Sequence, residues 1–210
     1  YMLQQYRKYG SISVFRSVVI FSLIYYLMNA YFMVILPLPE RASVTAGYRE
    51  MMQLRPFQFV LDLKDKWVLD ITNPHTYMDA LLQPVFTQVM FNILLTLRFG
   101  VYLRYYFKKD LKTTALYTLG LSLFFEVSQL SGLFFIYPGP YRLFDVDDLM
   151  LNTLGGVLGY VIAPFFMAFL PSKERIDEQS YAKSDRVSLI KRGLTYYVDF
   201  KIVQAIVKLL

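Results

Sequence analysis

Residues 17–36 read SVVIFSLIYYLMNAYFMVIL, a run without a single charge, closed by Pro37, Pro39 and Glu40. A helix rising about 1.5 Å per residue needs about 20 apolar residues to cross a bilayer core of about 30 Å. Three more such runs follow. One starts near Gln83–Pro84 and continues to about Phe107, with Arg98 and Arg104 in its later half. The next, Thr113 to Ile136, holds one acid, Glu126, and the last, Leu149 to Leu170, is closed by Pro171. The first run is too long for a signal peptide and lacks a small-residue cleavage site. The pattern predicts an all-α polytopic membrane protein with four transmembrane helices, plus a partial fifth hydrophobic helix at the end of the chain.

Composition agrees. Hydrophobic residues make up 56% of the 210, charges only 18%, and mean hydropathy is +0.37. That balance excludes a disordered chain. The absence of cysteine excludes a disulfide framework, a cysteine zinc site and a thiol nucleophile. Loop charge sets the expected orientation. Residues 1–16 carry Arg7, Lys8 and Arg16 without an acid, and residues 104–112 carry Arg104, Lys108, Lys109 and Lys112 against Asp110. After the fourth run come Lys173, Arg175, Lys183, Arg186, Lys191 and Arg192. The 37–82 and 137–148 loops carry more acids than bases. Both ends are therefore expected in the cytoplasm, and the net charge of +6 is this bias rather than an affinity for nucleic acid.

The 37–82 loop carries Trp67 and an alternating stretch, Phe57, Phe59, Leu61 and Leu63. It reads as a loop folded on the outer headgroups, with a lid over an outward site as the sharper alternative. Arg104 is expected to snorkel to the cytoplasmic headgroups. His75 reads as a surface residue, and no Ser–His–Asp set or zinc-ligand spacing is present.

Charged groups inside a bilayer are costly and ask for a reason. Glu126 and Gln129, at i and i+3, share a helix face. Beyond them come Arg142, Asp145, Asp147, Asp148 and Asn152, then Gly155, Gly156 and Gly159. Counting rises from the membrane edges puts Gln129 level with Asn152, and Glu126 level with Gly155–Gly156. The polar residues are expected to line one outward-opening pocket. The three glycines are expected to let a neighbouring helix approach closely. Structural roles stand beside these: Asp145 as an N-cap with Asp148 at N3, Asp147 and Asp148 as solvated loop acids, and Glu126 either protonated or paired with Arg142.

The series Glu126-x-x-Gln129, Arg142-x-x-Asp145-x-Asp147-Asp148-x-x-x-Asn152-x-x-Gly155-Gly156-x-x-Gly159-Tyr160 resembles the signature of VanZ-like membrane proteins. Gln53-Leu54-Arg55-Pro56-Phe57 is similar to that family's Asn-Leu-Ile-Pro-Phe element. Phe91-Asn92-Ile93-Leu94-Leu95 with Phe99-Gly100 is similar to its second-span pattern, though Arg98 stands near the family's usual proline. The tail, Lys191-Arg192-Gly193-Leu194-Thr195-Tyr196-Tyr197-Val198-Asp199, resembles the opening of an RDD-family domain. The expected organisation is a VanZ-like domain at 1–171, a charged cytoplasmic linker at 172–190, and at 191–210 either an RDD-like beginning in a fragment of a longer protein or an interfacial helix.

The resemblance implies a cell-membrane protein of Gram-positive bacteria associated with reduced susceptibility to teicoplanin and related lipoglycopeptides. Three functions are then open. The favoured one is a binding protein whose outward pocket engages a lipid-linked cell-wall precursor headgroup or the antibiotic itself, with Arg142 meeting phosphate or carboxylate. The second is an intramembrane hydrolase or transferase acting on a polyprenyl or phospholipid headgroup, with Glu126, Asp145, Asp147 and Asp148 around a hard divalent cation. The third is a lipid carrier flippase, for which four spans imply a homodimer. The residues name no cofactor, no catalytic group and no dedicated metal site.

Overall fold

The computed structural model describes residues 13–66, 68, 72–172, 175, 176, 178, 193, 196–201 and 204. Arg7, Lys8, Trp67, Lys173, Lys183, Arg186, Lys191 and Arg192, and with them most of the linker and the tail, lie outside the described residues. Two units are distinguished: Ser22–Leu170, and Tyr1–Phe21 together with Pro171–Leu210. The site described below belongs wholly to Ser22–Leu170.

Four long helices dominate: α1 (Val14–Ile35), α4 (Pro84–Tyr105), α5 (Leu111–Leu130) and α6 (Val146–Met167), with short helices α2 (Gln58–Lys66) and α3 (Thr76–Leu81) between the first two. Local chemistry sets their ends. Pro37 stops α1, because the residue before a proline is pushed out of the helical region. Pro84 opens α4 at N1, where its missing N–H costs nothing. The Asp145 side chain accepts the Asp147 N–H at 2.8 Å and caps α6. The alternating 57–63 stretch belongs largely to α2.

The third apolar run is shorter as a helix than expected. The α5 helix stops at Leu130, and Gly132, Leu133, Phe134 and Phe135 all take positive φ, forming a left-handed turn. Gly132 starts this turn without the Cβ clash that disfavours the left-handed region. Ile136 is therefore part of the connection between α5 and α6 and not of the helix.

Among the described residues, three helices, α1, α4 and α6, are long and apolar enough to cross a membrane, with mean hydropathies of 2.0, 1.3 and 1.6. The α5 helix is built differently. Thr114, Thr118, Ser122 and Glu126 recur every four residues on one face, and all are buried. Its Leu116, Tyr117, Leu119, Leu123, Phe124 and Val127 are exposed. Apolar residues outside and polar ones inside invert the pattern of a helix packed on a water-soluble core. On α1, Ile24, Tyr25, Met28 and Phe32 are likewise exposed, and on α6, Leu154, Val161 and Phe165.

Close backbone approach holds α6 between α4 and α5. A Cβ at Gly155 would lie 2.2 Å from the Ile93 carbonyl oxygen, and one at Gly159 1.9 Å from that of Leu97. On the other face a Cβ at Gly156 would lie 2.2 Å from Thr118 Oγ1. Gly100 completes the α4 side, since its Cβ would fall 2.0 Å from the Gly156 carbonyl oxygen. Such contacts replace hydrophobic driving force where lipid is as apolar as the helix. A small apolar core of Ala30, Val34, Leu95 and Phe125 joins α1, α4 and α5. Tyr102 donates to Ser22 at 2.9 Å, and Tyr26 donates to the Leu95 carbonyl.

Candidate functional site

The C-terminal ends of α1 and α5 and the N-terminal ends of α4 and α6 meet at a cavity of ≈ 690 Å³. Glu126, Gln129, Arg142, Asp145, Asp148 and Asn152 all line it, together with Gln88 and Asn92 of α4. Asp147 does not. It is 2% exposed, and its two carboxylate oxygens accept the backbone N–H groups of Phe57 at 2.7 Å and Phe59 at 2.8 Å. It thereby holds the start of α2 against the start of α6, and is not a solvated loop acid.

Asp145 extends the same clamp. Gln53 and Asp145 face each other across a two-residue parallel bridge between β1 (Met52–Gln53) and β2 (Phe144–Asp145). Gln53 Nε2 donates to Asp145 Oδ1 at 3.2 Å, and its Oε1 accepts the Arg55 N–H. The Gln53–Phe57 element is thus the strap that ties the 37–82 loop to the α6 cap. Asp145 is only half-buried, and burial pushes its carboxyl above the usual range, with the Asp147 charge adding to the shift.

Glu126 is 3% exposed, and its Oε2 accepts the Asp145 backbone N–H at 3.0 Å. Among the described residues, no ion pair within 4.0 Å joins it to Arg142, so of the two alternatives for this acid the pairing with Arg142 is not the one adopted. Arg142 donates instead to the Val34 carbonyl oxygen, which also accepts Gln129 Nε2 at 2.8 Å. Val34 lies in the last turn of α1, where carbonyls have no intrahelical donor and the dipole is negative. Tyr141 caps the next carbonyl, that of Ile35, at 3.3 Å, and burial pushes its phenol up to about 12, so it remains a donor.

The expected register was displaced. Asn152 Nδ2 donates to Ser122 Oγ at 2.8 Å, so Asn152 stands level with Ser122 rather than Gln129, about two turns away. Gly156 meets Thr118 and not Glu126. The left-handed turn ends α5 early and the 131–145 connection folds back over it, so α5 and α6 do not run as straight spans to a common edge. Arg104 also departs from expectation. It donates to the Tyr160 carbonyl at 2.7 Å and lies 4.2 Å over the Tyr160 ring, bracing α4 to α6.

Asn92 and Gln88 went unrecognised as site residues. Both donate to Asp148 Oδ1, Gln88 at 3.4 Å. Their i, i+4 spacing on one face of an apolar run was the available signal. Ser122 and Thr96 were missed too; the Thr96 hydroxyl donates to the Asn152 backbone carbonyl. Asn152 is 3% exposed, and its Oδ1 has no hydrogen-bond partner among the described residues.

Apolar helices with outward-facing hydrophobic side chains around a polar cavity define a multi-pass α-helical membrane protein. Residues 23–170 match the VanZ/LLP1 family, and the chain belongs to it. No curated protein and no solved structure matches the chain.

Proposed function

We propose that the protein binds a lipid-linked headgroup or a lipoglycopeptide in the cavity at the outer ends of its helices. In this reading α1, α4, α5 and α6 all span the membrane, both chain ends are cytoplasmic, and the cavity opens to the cell exterior. The alternating direction of the four helices supports it, since their ends of opposite polarity converge on the cavity. So does the inside-out character of α5.

The observation that carries the binding reading is Asn152 Oδ1. A buried carbonyl oxygen left without a donor costs about 1–3 kcal/mol, which a ligand donor in the cavity would offset. Binding without chemistry is favoured over hydrolysis because the acids already serve the protein: Asp147 and Glu126 hold backbone amides, and Asp145 caps α6. Among the described residues, no three His, Asp or Glu side chains are grouped to hold a metal ion. Native mass spectrometry of the detergent-purified protein tests the proposal. A co-purified lipid that is lost in Asn152→Ala is the expected result; a bare protein whose stability no headgroup changes would sink it.

A further inference from the structure

The cavity has an open side. Its α4 wall is made by Pro84, Thr87, Gln88, Phe91 and Leu95, which recur on one face of the helix. Thr87, Gln88 and Phe91 line the cavity and are nevertheless exposed, Phe91 by 37%; Met33, which lines it from α1, is 57% exposed. On the α5 and α6 walls, Phe125, Glu126, Gln129 and Asn152 are all buried. Side chains that face a cavity and also the surroundings mark its mouth, so a mouth lies between α1 and α4.

The seam between these two helices explains the gap. Up to Leu95 it is closed: Tyr102 reaches Ser22, Tyr26 reaches the Leu95 carbonyl, and Ala30 and Leu95 share the apolar core. From Leu95 to Pro84, no hydrogen bond joins α4 to α1 among the described residues. There α1 leans on α5 instead. The Tyr31 ring lies 5.6 Å from that of Phe124 and 6.3 Å from that of Phe125, and Gln129 donates to the Val34 carbonyl. No glycine in α1 brings its backbone against α4, as Gly155 and Gly159 do for α6.

We infer that the cavity opens sideways into the outer leaflet between α1 and α4, and that its occupant is a bilayer phospholipid whose acyl chain lies in this opening. The inference rests on the membrane-spanning, headgroup-binding reading above. The flanks of the mouth are apolar and exposed, with Met28, Phe32 and Leu36 on α1 and Met90 and Leu94 on α4, so it gives onto hydrocarbon. From Pro84 to Leu95 it runs about 16 Å along the helix, about half of a hydrocarbon core of about 30 Å. An acyl chain reaches the same depth, to the middle of the bilayer. Behind the mouth stands Asn152 Oδ1, buried and unpartnered, which a headgroup donor can satisfy and a hydrocarbon chain cannot. One amphiphile thus fits both the apolar mouth and the polar back wall. Entry from the side also spares the cost of drawing its chain through water.

The chain contains no cysteine, so Met33→Cys with Phe91→Cys supplies the only two thiols. Reducible bis-methanethiosulfonate linkers of graded length can bridge them across the mouth. The delipidated full chain is bridged, incorporated into vesicles of chain-deuterated phosphatidylglycerol and phosphatidylethanolamine, extracted again and weighed by native mass spectrometry. Bridging should remove the bound deuterated lipid that the unbridged protein carries, and reduction before incorporation should restore it. If the double variant does not fold, phosphatidylglycerol with diazirine-bearing acyl chains is photolysed with the unaltered chain. Residues 28–36 and 90–95 should then be labelled above the level of the exposed Leu123 and Val161, and Asn152→Ala should remove the excess. Equal lipid on bridged and unbridged protein, lost in Asn152→Ala, overturns the sideways opening and leaves headgroup binding standing. Even labelling around the helices overturns the opening too. Lipid that neither bridging nor Asn152→Ala removes, or no bound lipid at all, overturns both.

Discussion

The Glu126 carboxylate accepts the backbone N–H of Asp145 at 3.0 Å, so an acid inside α5 holds the residue that caps α6. The acid that stands out in the third apolar run thus has a structural partner 19 positions away. Replacement by Gln keeps an acceptor for that amide, whereas Ala leaves it without one. Glu126→Ala should lower unfolding stability by about 1–3 kcal/mol, and Glu126→Gln by much less. Thermal unfolding in detergent reads the difference, and equal losses would refute the assigned contact.

Asp147 should govern the Gln53–Phe57 strap. Its two oxygens satisfy two backbone amides, and an Asn side chain offers a single acceptor. Asp147→Asn should raise hydrogen exchange across residues 57–66 by about tenfold or more, through local opening, while the α4–α6 contact stays protected. Unchanged exchange there would show that the strap is held by something else.

The glycines separate cleanly. Gly159→Ala forces a Cβ to within 1.9 Å of the Leu97 carbonyl oxygen and should prevent α4 and α6 from closing, with loss of folded yield. Gly120, on the exposed face of α5, has open space around it, so Gly120→Ala should be neutral or stabilise by up to about 1 kcal/mol. Size-exclusion profiles and melting temperatures check both.

Asp145 imparts a pH dependence. Its folded-state pKa lies above the ordinary value of 3.8, so the folded protein holds the proton more tightly than the unfolded chain. The stability this contributes is fully present below pH 3.8 and is lost as pH rises through the folded pKa. Asp145→Asn keeps the capping oxygen and removes the titration. The variant should therefore gain on the unaltered protein as pH rises through that window and hold a constant margin above it. A margin independent of pH would refute the burial argument.

Much of the cavity was legible in the chain itself. Glu126, Gln129 and Asn152 each stand out because a polar side chain in an apolar run is expensive, and cost is visible without coordinates. The Asp145 cap was legible for a similar reason, since a helix start has a short-range signature. Asp147 was not separable from its neighbours. Its partners, Phe57 and Phe59, lie about 90 positions away, and nothing local distinguishes an acid that binds them from one that faces water.

The length, charge and spacing of the apolar runs by themselves determined the helical membrane architecture, because bilayer thickness converts directly into residue count. Only the tertiary structure decided the register between α5 and α6, the placement of Arg142 on α1 instead of Glu126, and the role of the Gln53–Phe57 strap. Each of these depends on where backbone groups at helix ends come to lie. A left-handed turn of four residues after Leu130 was enough to move them by two helical turns. Hydrophobic periodicity carries no record of such a turn, since Leu133, Phe134 and Phe135 would suit a continuing helix equally well.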